Sequence, residues 1–369
     1  MTEPGDTAVA DRVRIEPVDW ALAGRVAARV AGRGPQLTDS ERASLEREFT
    51  RATAEAEELV AAETGLRSAS GPARGQVVDR AGWTAANVAG FQRLLAPLTE
   101  KVGAQLPRAR GPVRVAQAIT GAEVGTLLGW MSSRVLGQYD LLVLEEDAPH
   151  QQDVVYYVGP NVISVERRFG FPTEQFRLWL AIHETTHRAQ FTGVPWMRQH
   201  YLSLVNDLTG SFDPDPQRFV ALLRQSISAL RSGEASTRDG GLMAVLATPE
   251  QREIMARIGG LMSLLEGHGD ITMQRAGAAV IPSAERFARV LAERRKSQSG
   301  PTKVLQRLLG LEAKMAQYEQ GERFVLAIEA AAGPHAVDTC WERAENLPTL
   351  QEIREPRLWL DRMGLASAA

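Results

Sequence analysis

The chain has 369 residues, of which 44% are hydrophobic and 24% charged, so it can form one large or two modest cores and is unlike a disordered chain. Its formal net charge of -3 gives no electrostatic reason to expect nucleic acid or an acidic membrane as a partner. Cys340 is the single cysteine, which excludes an internal disulfide, and the acidic N-terminus lacks the apolar segment of a signal peptide, so we expect a cytoplasmic protein.

The first part of the chain has helical signals. Thr38 and Glu41 have the spacing of a capping box, which predicts the start of a long helix that Gly65 can end. Residues 68–75 are rich in Gly, Ser and Pro, which predicts a loop that joins two secondary-structure elements. A further helix is expected over about residues 84–98.

The segment from Val115 to Leu136 is the most apolar candidate for a membrane span, but Glu123 and Arg134 interrupt it. We therefore expect a buried helix and no membrane partner. Three glycines recur at four-residue spacing on one face of this helix: Gly121, Gly125 and Gly129. This spacing predicts that a second helix packs unusually close to that face.

One β signal lies between the helical regions. Three short runs rich in β-branched and aromatic or aliphatic residues predict a small sheet: residues 141–144, 154–158 and 161–165. An exposed strand can hold an extended ligand by backbone pairing, and Asn161–Val165 is the candidate for that role if the chain binds such a ligand. The alternative is a structural sheet that only covers the core.

The most informative string in the chain is HETTH. An apolar stripe at helical spacing surrounds it and indicates a helix that begins near Pro172 and ends at Gly193. On that helix, His183 and His187 lie one turn apart with Glu184 beside them, which is the HExxH pattern of zinc hydrolases. The alternative, two core histidines satisfied by hydrogen bonds, is the weaker reading because it gives no role to the adjacent carboxylate.

A catalytic zinc ion needs a third protein ligand. The metzincin pattern would require a histidine at the position of Gly193, so that arrangement is excluded. A second helix, predicted from Thr248 to Gly277, carries Glu266 and Asp270 on one otherwise apolar face. Because buried carboxylates need a cation or donors, we predict Glu266 as the third ligand and Asp270 as the acceptor for a ligand histidine's N–H.

Two histidines are alternative third ligands. His268 lies two residues beyond Glu266, a rotation of about 200° on a helix, and His200 lies just beyond the motif helix. If neither binds the metal, we expect both at the surface or at the rim of the site. Gly267 and Gly269 flank His268 and each costs the helix about 1 kcal/mol relative to Ala, which predicts close approach of a backbone or a substrate. A locally irregular helix is the alternative.

The predicted fold class is mainly α with a small β-sheet, in a metallohydrolase architecture with the HExxH helix and a second ligand-bearing helix. We expect one integrated domain over residues 15–366. Its predicted parts are a flexible tail (1–14), an N-terminal helical lobe (15–140), the small sheet with the metal-site helices (141–280) and a C-terminal helical lobe (281–369).

Four strings carry a resemblance to a known family: HETTHRAQF, LLEGHGD, LLGLEAKMAQYEQGERFV and ENLPTLQEIREPRLWLDR. From about Trp20 to Met363 the chain resembles actinobacterial zincin-like proteins known as zinc-dependent metalloproteases or as proteins associated with deazaflavin-coenzyme biosynthesis. The resemblance implies a mainly helical zincin-like fold. It also implies a gluzincin-like metal site of His183, His187 and Glu266, with Glu184 as the catalytic carboxylate.

These residues predict a peptidase-like hydrolase with one Zn2+ per chain. Zinc lowers the pKa of a bound water towards about 7 and polarises a carbonyl, while Glu184 acts as general base on a peptide or other acyl substrate. An oxyanion also needs a donor. The candidates for that donor or for substrate contacts are His200, Tyr201, His268 and Arg275. The alternative function is a non-catalytic zinc-binding scaffold or interaction protein. No oligomeric state is predicted.

Overall fold

The computed structural model describes residues 16–32, 34–105, 110–141, 153–211, 247–296 and 311–366. Over these residues the chain is mainly helical with one small sheet, as predicted. The helices before the last strand are α1 (Trp20–Ala31), α2 (Asp39–Thr64), α3 (Arg80–Leu94), α4 (Ala96–Gln105) and α5 (Arg110–Ser132). The helix expected over residues 84–98 is thus two helices, α3 and α4.

After Val158, the regular elements of the described chain are all helices. The longer ones are α6 (Gly159–Phe169), α7 (Thr173–Thr192), α8 (Met197–Gly210), α9 (Pro249–Gly277), α10 (Ala284–Lys296) and α11 (Leu311–Ala332). Shorter helices follow, namely two 3₁₀ turns (Ala336–Asp338 and Ala344–Asn346), α12 (Thr339–Glu342), α13 (Leu350–Arg354) and α14 (Pro356–Met363).

Two long helices begin at capping boxes that the sequence predicts. At the start of α2 the Glu41 N–H donates to the Thr38 hydroxyl at 3.2 Å, and the Thr38 N–H donates to the Glu41 carboxylate at 2.8 Å. Gly65, in the left-handed region at φ 69°, ends this helix. Thr248 and Gln251 form the same reciprocal pair at the start of α9. Both predicted starts are confirmed.

The sheet has three strands in the order β1-β3-β2: β1 is Arg74–Val78, β2 is Gly137–Tyr139 and β3 is Val154–Val158. The central strand β3 pairs with β1 in parallel and with β2 antiparallel. The prediction of β3 is confirmed. The outer strands were not predicted, since β1 starts at the end of the segment predicted to be a loop.

The run Asn161–Val165 is not a strand, and the prediction that it pairs with substrate is wrong. These residues lie within α6, where Pro160 occupies a favourable position in the first turn and the β-branched side chains are buried in the core. The apolar side chains of this run are therefore buried in a helix, and a strand is not needed to bury them. Leu141 lies in a turn, and the rest of the predicted strand 141–144 falls outside the described residues.

The glycine stripe of α5 packs against α1, as the sequence predicts. A Cβ atom built at the three glycines would lie 2.4, 2.4 and 2.5 Å from backbone carbonyl oxygens of the segment that forms α1 and its N-cap; the pairs are Gly121–Asp19, Gly125–Ala23 and Gly129–Ala27. The prediction that the whole helix is buried is wrong, because Val115 is 60% exposed and Ile119 54%. Within the described residues, no helix is long and apolar enough to cross a membrane.

Helices α9 and α11 cross with their backbones in contact. A Cβ atom at Gly267 would lie 2.1 Å from the carbonyl carbon of Gly321, and one at Gly321 would lie 1.8 Å from the Ser263 carbonyl oxygen. Only glycine fits at such a crossing. The sequence-based expectation that a backbone approaches Gly267 closely is therefore confirmed.

Replacing Gly267 with Ala is expected to destabilise the protein by about 1–3 kcal/mol or more, because the added methyl group forces α9 and α11 apart. Gly269→Ala is the matched control, since its Cβ atom would meet nothing nearer than the His187 Cε1 atom at 3.4 Å. Both changes gain about 1 kcal/mol of helix propensity. Denaturant unfolding of the metal-free variants measures the difference, and equal stabilities would contradict the packing argument.

Candidate metal centre

Helix α7 carries the HExxH residues through the centre of the main core. It packs against α2 and α9, and most of its side chains are buried on all sides. Arg188, 1% exposed, donates to the Glu57 carboxylate at 2.6 Å and to the Asp153 carboxylate at 2.9 Å. These buried ion pairs link α7 to α2 and to the start of β3, so the rotation of the metal-site helix is fixed by its neighbours.

Three potential ligand atoms meet between α7 and α9. The His183 Nε2 and His187 Nε2 atoms are 3.3 Å apart, and the Glu266 Oε2 atom lies 3.4 Å from His187 Nε2 and 3.9 Å from His183 Nε2. Tetrahedral ligands with bonds of 2.0–2.1 Å stand about 3.3–3.4 Å apart. The donor types and their spacing therefore fit zinc. In the described part of the chain, this is the group of metal-ligating residues that could hold an ion.

The charges at this cluster favour a bound cation. Burial alone would lower the pKa of His187, but the hydrogen bond and charge of Glu266, together with the charge of Glu184, raise the pKa to about 9. In the metal-free chain His187 is therefore a positively charged imidazolium at neutral pH, with a proton on both ring nitrogens. Because a metal ligand must be a neutral imidazole, a metal ion would displace this proton and satisfy the same buried carboxylate.

Glu184 lies against the outer edge of strand β2. Glu184 is only 7% exposed, and its Oε2 atom accepts a hydrogen bond from the Tyr139 backbone N–H at 3.2 Å. A Cβ atom at Gly137 would lie 2.7 Å from the Glu184 Oε1 atom, so a larger residue at this position would require the Glu184 side chain to shift. The strand thus sets the position of Glu184, a contact that the sequence did not predict.

Gln190 contacts the Nδ1 atom of His187, the ring nitrogen that does not face the other ligand atoms. The His187 Nδ1 atom lies 2.9 Å from the Gln190 Oε1 atom, and Gln190 Nε2 contacts the Leu265 carbonyl oxygen at 3.0 Å and His268 Nδ1 at 2.9 Å. Sequence reasoning missed Gln190, although its position three residues after His187 places it on the same helix face. The role expected of Asp270, as acceptor for a ligand imidazole, stays a prediction.

His268 is buried, so the expectation of a surface or rim histidine is wrong for this residue. It is 5% exposed and its ring lies edge-on to Trp341 with centroids 5.1 Å apart. Burial, and then the positive charges of His187 and Arg275, lower the pKa of His268 to about 4. It is a neutral imidazole at physiological pH. Gly269 faces the metal-site imidazoles, with its Cβ position 3.8 Å from His187 Nε2.

The other predicted contact residues contact groups outside the ligand cluster. Helix α8 carries His200, whose ring contacts Trp196, and Tyr201, whose ring lies 5.8 Å from that of Phe191. Arg275 forms a two-point ion pair with the carboxylate of Glu329 at 2.6 and 3.0 Å. A role of His200, Tyr201, His268 or Arg275 in binding an oxyanion or substrate stays a prediction.

Comparisons with known proteins agree with this site. A family profile described as a zincin-like metallopeptidase matches residues 18–360. The chain is similar to a crystal structure of a proposed hydrolase with a novel fold from Chloroflexus aurantiacus, at 32% identity and a TM-score of 0.68, over 94% of this chain and 99% of that one. No curated protein matches significantly. The narrower resemblance to actinobacterial proteins stays a prediction.

Proposed function

We propose that the chain, which belongs to the family of zincin-like metallopeptidases, is a zinc-dependent hydrolase that cleaves a peptide or related acyl bond. The observation that carries this proposal is the cluster of His183, His187 and Glu266, whose ligand atoms stand 3.3–3.9 Å apart beside the buried Glu184. The similarity to a proposed hydrolase supports the same class of reaction. One zinc ion per chain is expected.

The chain's own residues also supply a general base for a hydrolytic site. When bound, zinc would activate a water molecule and polarise the substrate carbonyl. Glu184 accepts the proton of the attacking water and passes it to the leaving group, which suits amide cleavage. The hydrogen bond from the Tyr139 N–H holds the Glu184 Oε2 atom and so orients the carboxylate before substrate arrives.

Strand β2 is our candidate for backbone pairing with an extended substrate. The Asp140 N–H donates to the Val154 carbonyl and the Val158 N–H to the Leu136 carbonyl, so alternate residues of β2 bond to β3. The backbone groups of Gly137 and the carbonyl group of Tyr139 consequently point to the opposite edge, where the Tyr139 N–H already donates to Glu184. An acyl chain lying along this edge would bring its carbonyl towards the metal ligands.

Zinc content and hydrolysis, measured on the same preparation, test the proposal. Elemental analysis of untagged protein is expected to give one zinc per chain. Hydrolysis in a screen of quenched peptides and acylated substrates should be lost after chelation and return when zinc is added. Zinc that stays bound without turnover on any substrate would favour the scaffold function. A protein that binds no zinc would overturn the proposed metal site itself.

A further inference from the structure

We infer that Gln190 and His268 are positioning residues that hold His187 in the tautomer and orientation needed for binding a metal ion. This inference rests on the proposed zinc site. It starts from one buried amide, that of Gln190, whose nitrogen and oxygen both contact neighbours of defined chemistry. Gln190 is 0% exposed and lies on α7, whereas His268 and Leu265 lie on α9, on either side of the ligand Glu266.

The orientation of the Gln190 amide follows from the Leu265 carbonyl. A carbonyl oxygen can only accept, so the group 3.0 Å from it must be the amide nitrogen of Gln190. The opposite orientation would place two acceptors against each other inside the core and leave both without a donor, which is unfavourable for buried polar groups. The Gln190 Oε1 atom therefore faces His187.

The orientation of this amide decides the tautomer of His187. Because Gln190 Oε1 is an acceptor, the His187 Nδ1 atom at 2.9 Å must carry a proton and donate it. In the neutral imidazole the other nitrogen, Nε2, then holds the lone pair. That nitrogen is the one 3.3 Å from His183 Nε2 and 3.4 Å from Glu266 Oε2, where a metal would bind.

His268 completes the arrangement by accepting the second amide hydrogen of Gln190. The Gln190 Nε2 atom lies 2.9 Å from His268 Nδ1, so both N–H bonds of the amide have acceptors, and both acceptors belong to α9. His268 thus binds no metal in this arrangement and acts on the site through Gln190. The single glutamine also ties the helix that carries two ligands to the helix that carries the third.

Zinc affinity of Gln190→Met is the first test, because methionine has similar length and no hydrogen-bonding amide. Removing such an outer partner of a ligand histidine is expected to weaken zinc binding about 10- to 100-fold. The dissociation constant is measured by competition with a chromophoric chelator. The thermal midpoint of the metal-free variant, compared with that of the unchanged chain, reports separately on any loss of packing.

His268 offers a matched pair of substitutions that separates positioning from packing. Asparagine can place an oxygen close to where His268 has Nδ1, so His268→Asn is expected to keep zinc affinity within a few-fold, whereas His268→Leu is expected to weaken it by about tenfold. Both variants remove the imidazole ring. A loss of ring packing alone would therefore affect the two equally.

The outcomes are distinguishable from failure of the proposed function. If the unchanged chain binds no zinc, the metal site itself is wrong. If it binds zinc and Gln190→Met binds equally tightly, or if His268→Asn and His268→Leu weaken binding to the same extent, the positioning role is overturned. Weaker binding by Gln190→Met and His268→Leu, with recovery in His268→Asn, supports it.

Discussion

Replacing Glu184 with glutamine is expected to leave one zinc bound per chain and to slow hydrolysis by about a hundredfold to ten-thousandfold. The amide has nearly the shape of the carboxylate but cannot take up the proton of the attacking water, and general base catalysis contributes a factor of this size. Zinc content by elemental analysis and the initial rate of hydrolysis, on the same preparation and the best substrate of the screen, check both halves of the expectation.

The structure supplies a control for that experiment on the same helix. Glu174, in the first turn of α7, is exposed and forms a surface ion pair with Arg51 at 3.3 Å. Exposed pairs of this kind contribute about 0–1 kcal/mol, so Glu174→Gln should change neither zinc content nor rate. Full activity in Glu184→Gln would remove Glu184 from the reaction and leave the acid–base role to another group.

Removing the third ligand is expected to have the largest effect on metal binding. Glu266→Gln replaces a buried carboxylate, 3.4 Å from His187 Nε2, with a neutral amide of the same size. Zinc affinity should fall by more than about a hundredfold, since outer partners of ligands already account for about 10- to 100-fold. His187→Ala should have a comparable effect. Chelator competition gives the dissociation constants.

The control for this loss lies on the same helix. Glu253 is an exposed residue of α9, so Glu253→Gln makes the same chemical change away from the ligand cluster and should bind zinc normally. Stoichiometric zinc in Glu266→Gln would contradict the ligand assignment. His200 and His268, the alternatives weighed from the sequence, would then be tested by substitution in the same assay.

The elements that were predicted well are those with local signals. The starts of α2 and α9 depend on side chains that bond to backbone groups three residues away, so a short stretch of sequence contains the whole interaction. The proximity of His183, His187 and Glu266 was predictable for a related reason. Helical geometry fixes the spacing of His183 and His187. The position of Glu266 on an apolar helix face predicts its burial, and a buried carboxylate needs a cation or hydrogen-bond donors beside it.

The errors concern interactions between distant parts of the chain. The apolar run at residues 161–165 fits a strand and a buried helix equally, and its packing in the core together with Pro160 favours α6. Strand β2 has three residues and acquires its role only from its pairing with β3. The link from Gln190 to His268 was missed because it requires the register of α7 against α9, which a single sequence does not contain.

The contact of Gly267 with Gly321 has a thermodynamic consequence for the C-terminal helices. Gly267 follows Glu266 in α9, so the same stretch of backbone positions the Glu266 carboxylate and packs against Gly321 of α11. A metal ion or other molecule at free concentration [L] that binds only the folded chain adds RT ln(1 + [L]/Kd) to the free energy of unfolding. This term is about 2.7 kcal/mol when [L] is a hundred times Kd. Metal binding at Glu266 and the local unfolding of α11 would therefore be linked equilibria, so that a bound metal ion would protect α11 against local unfolding.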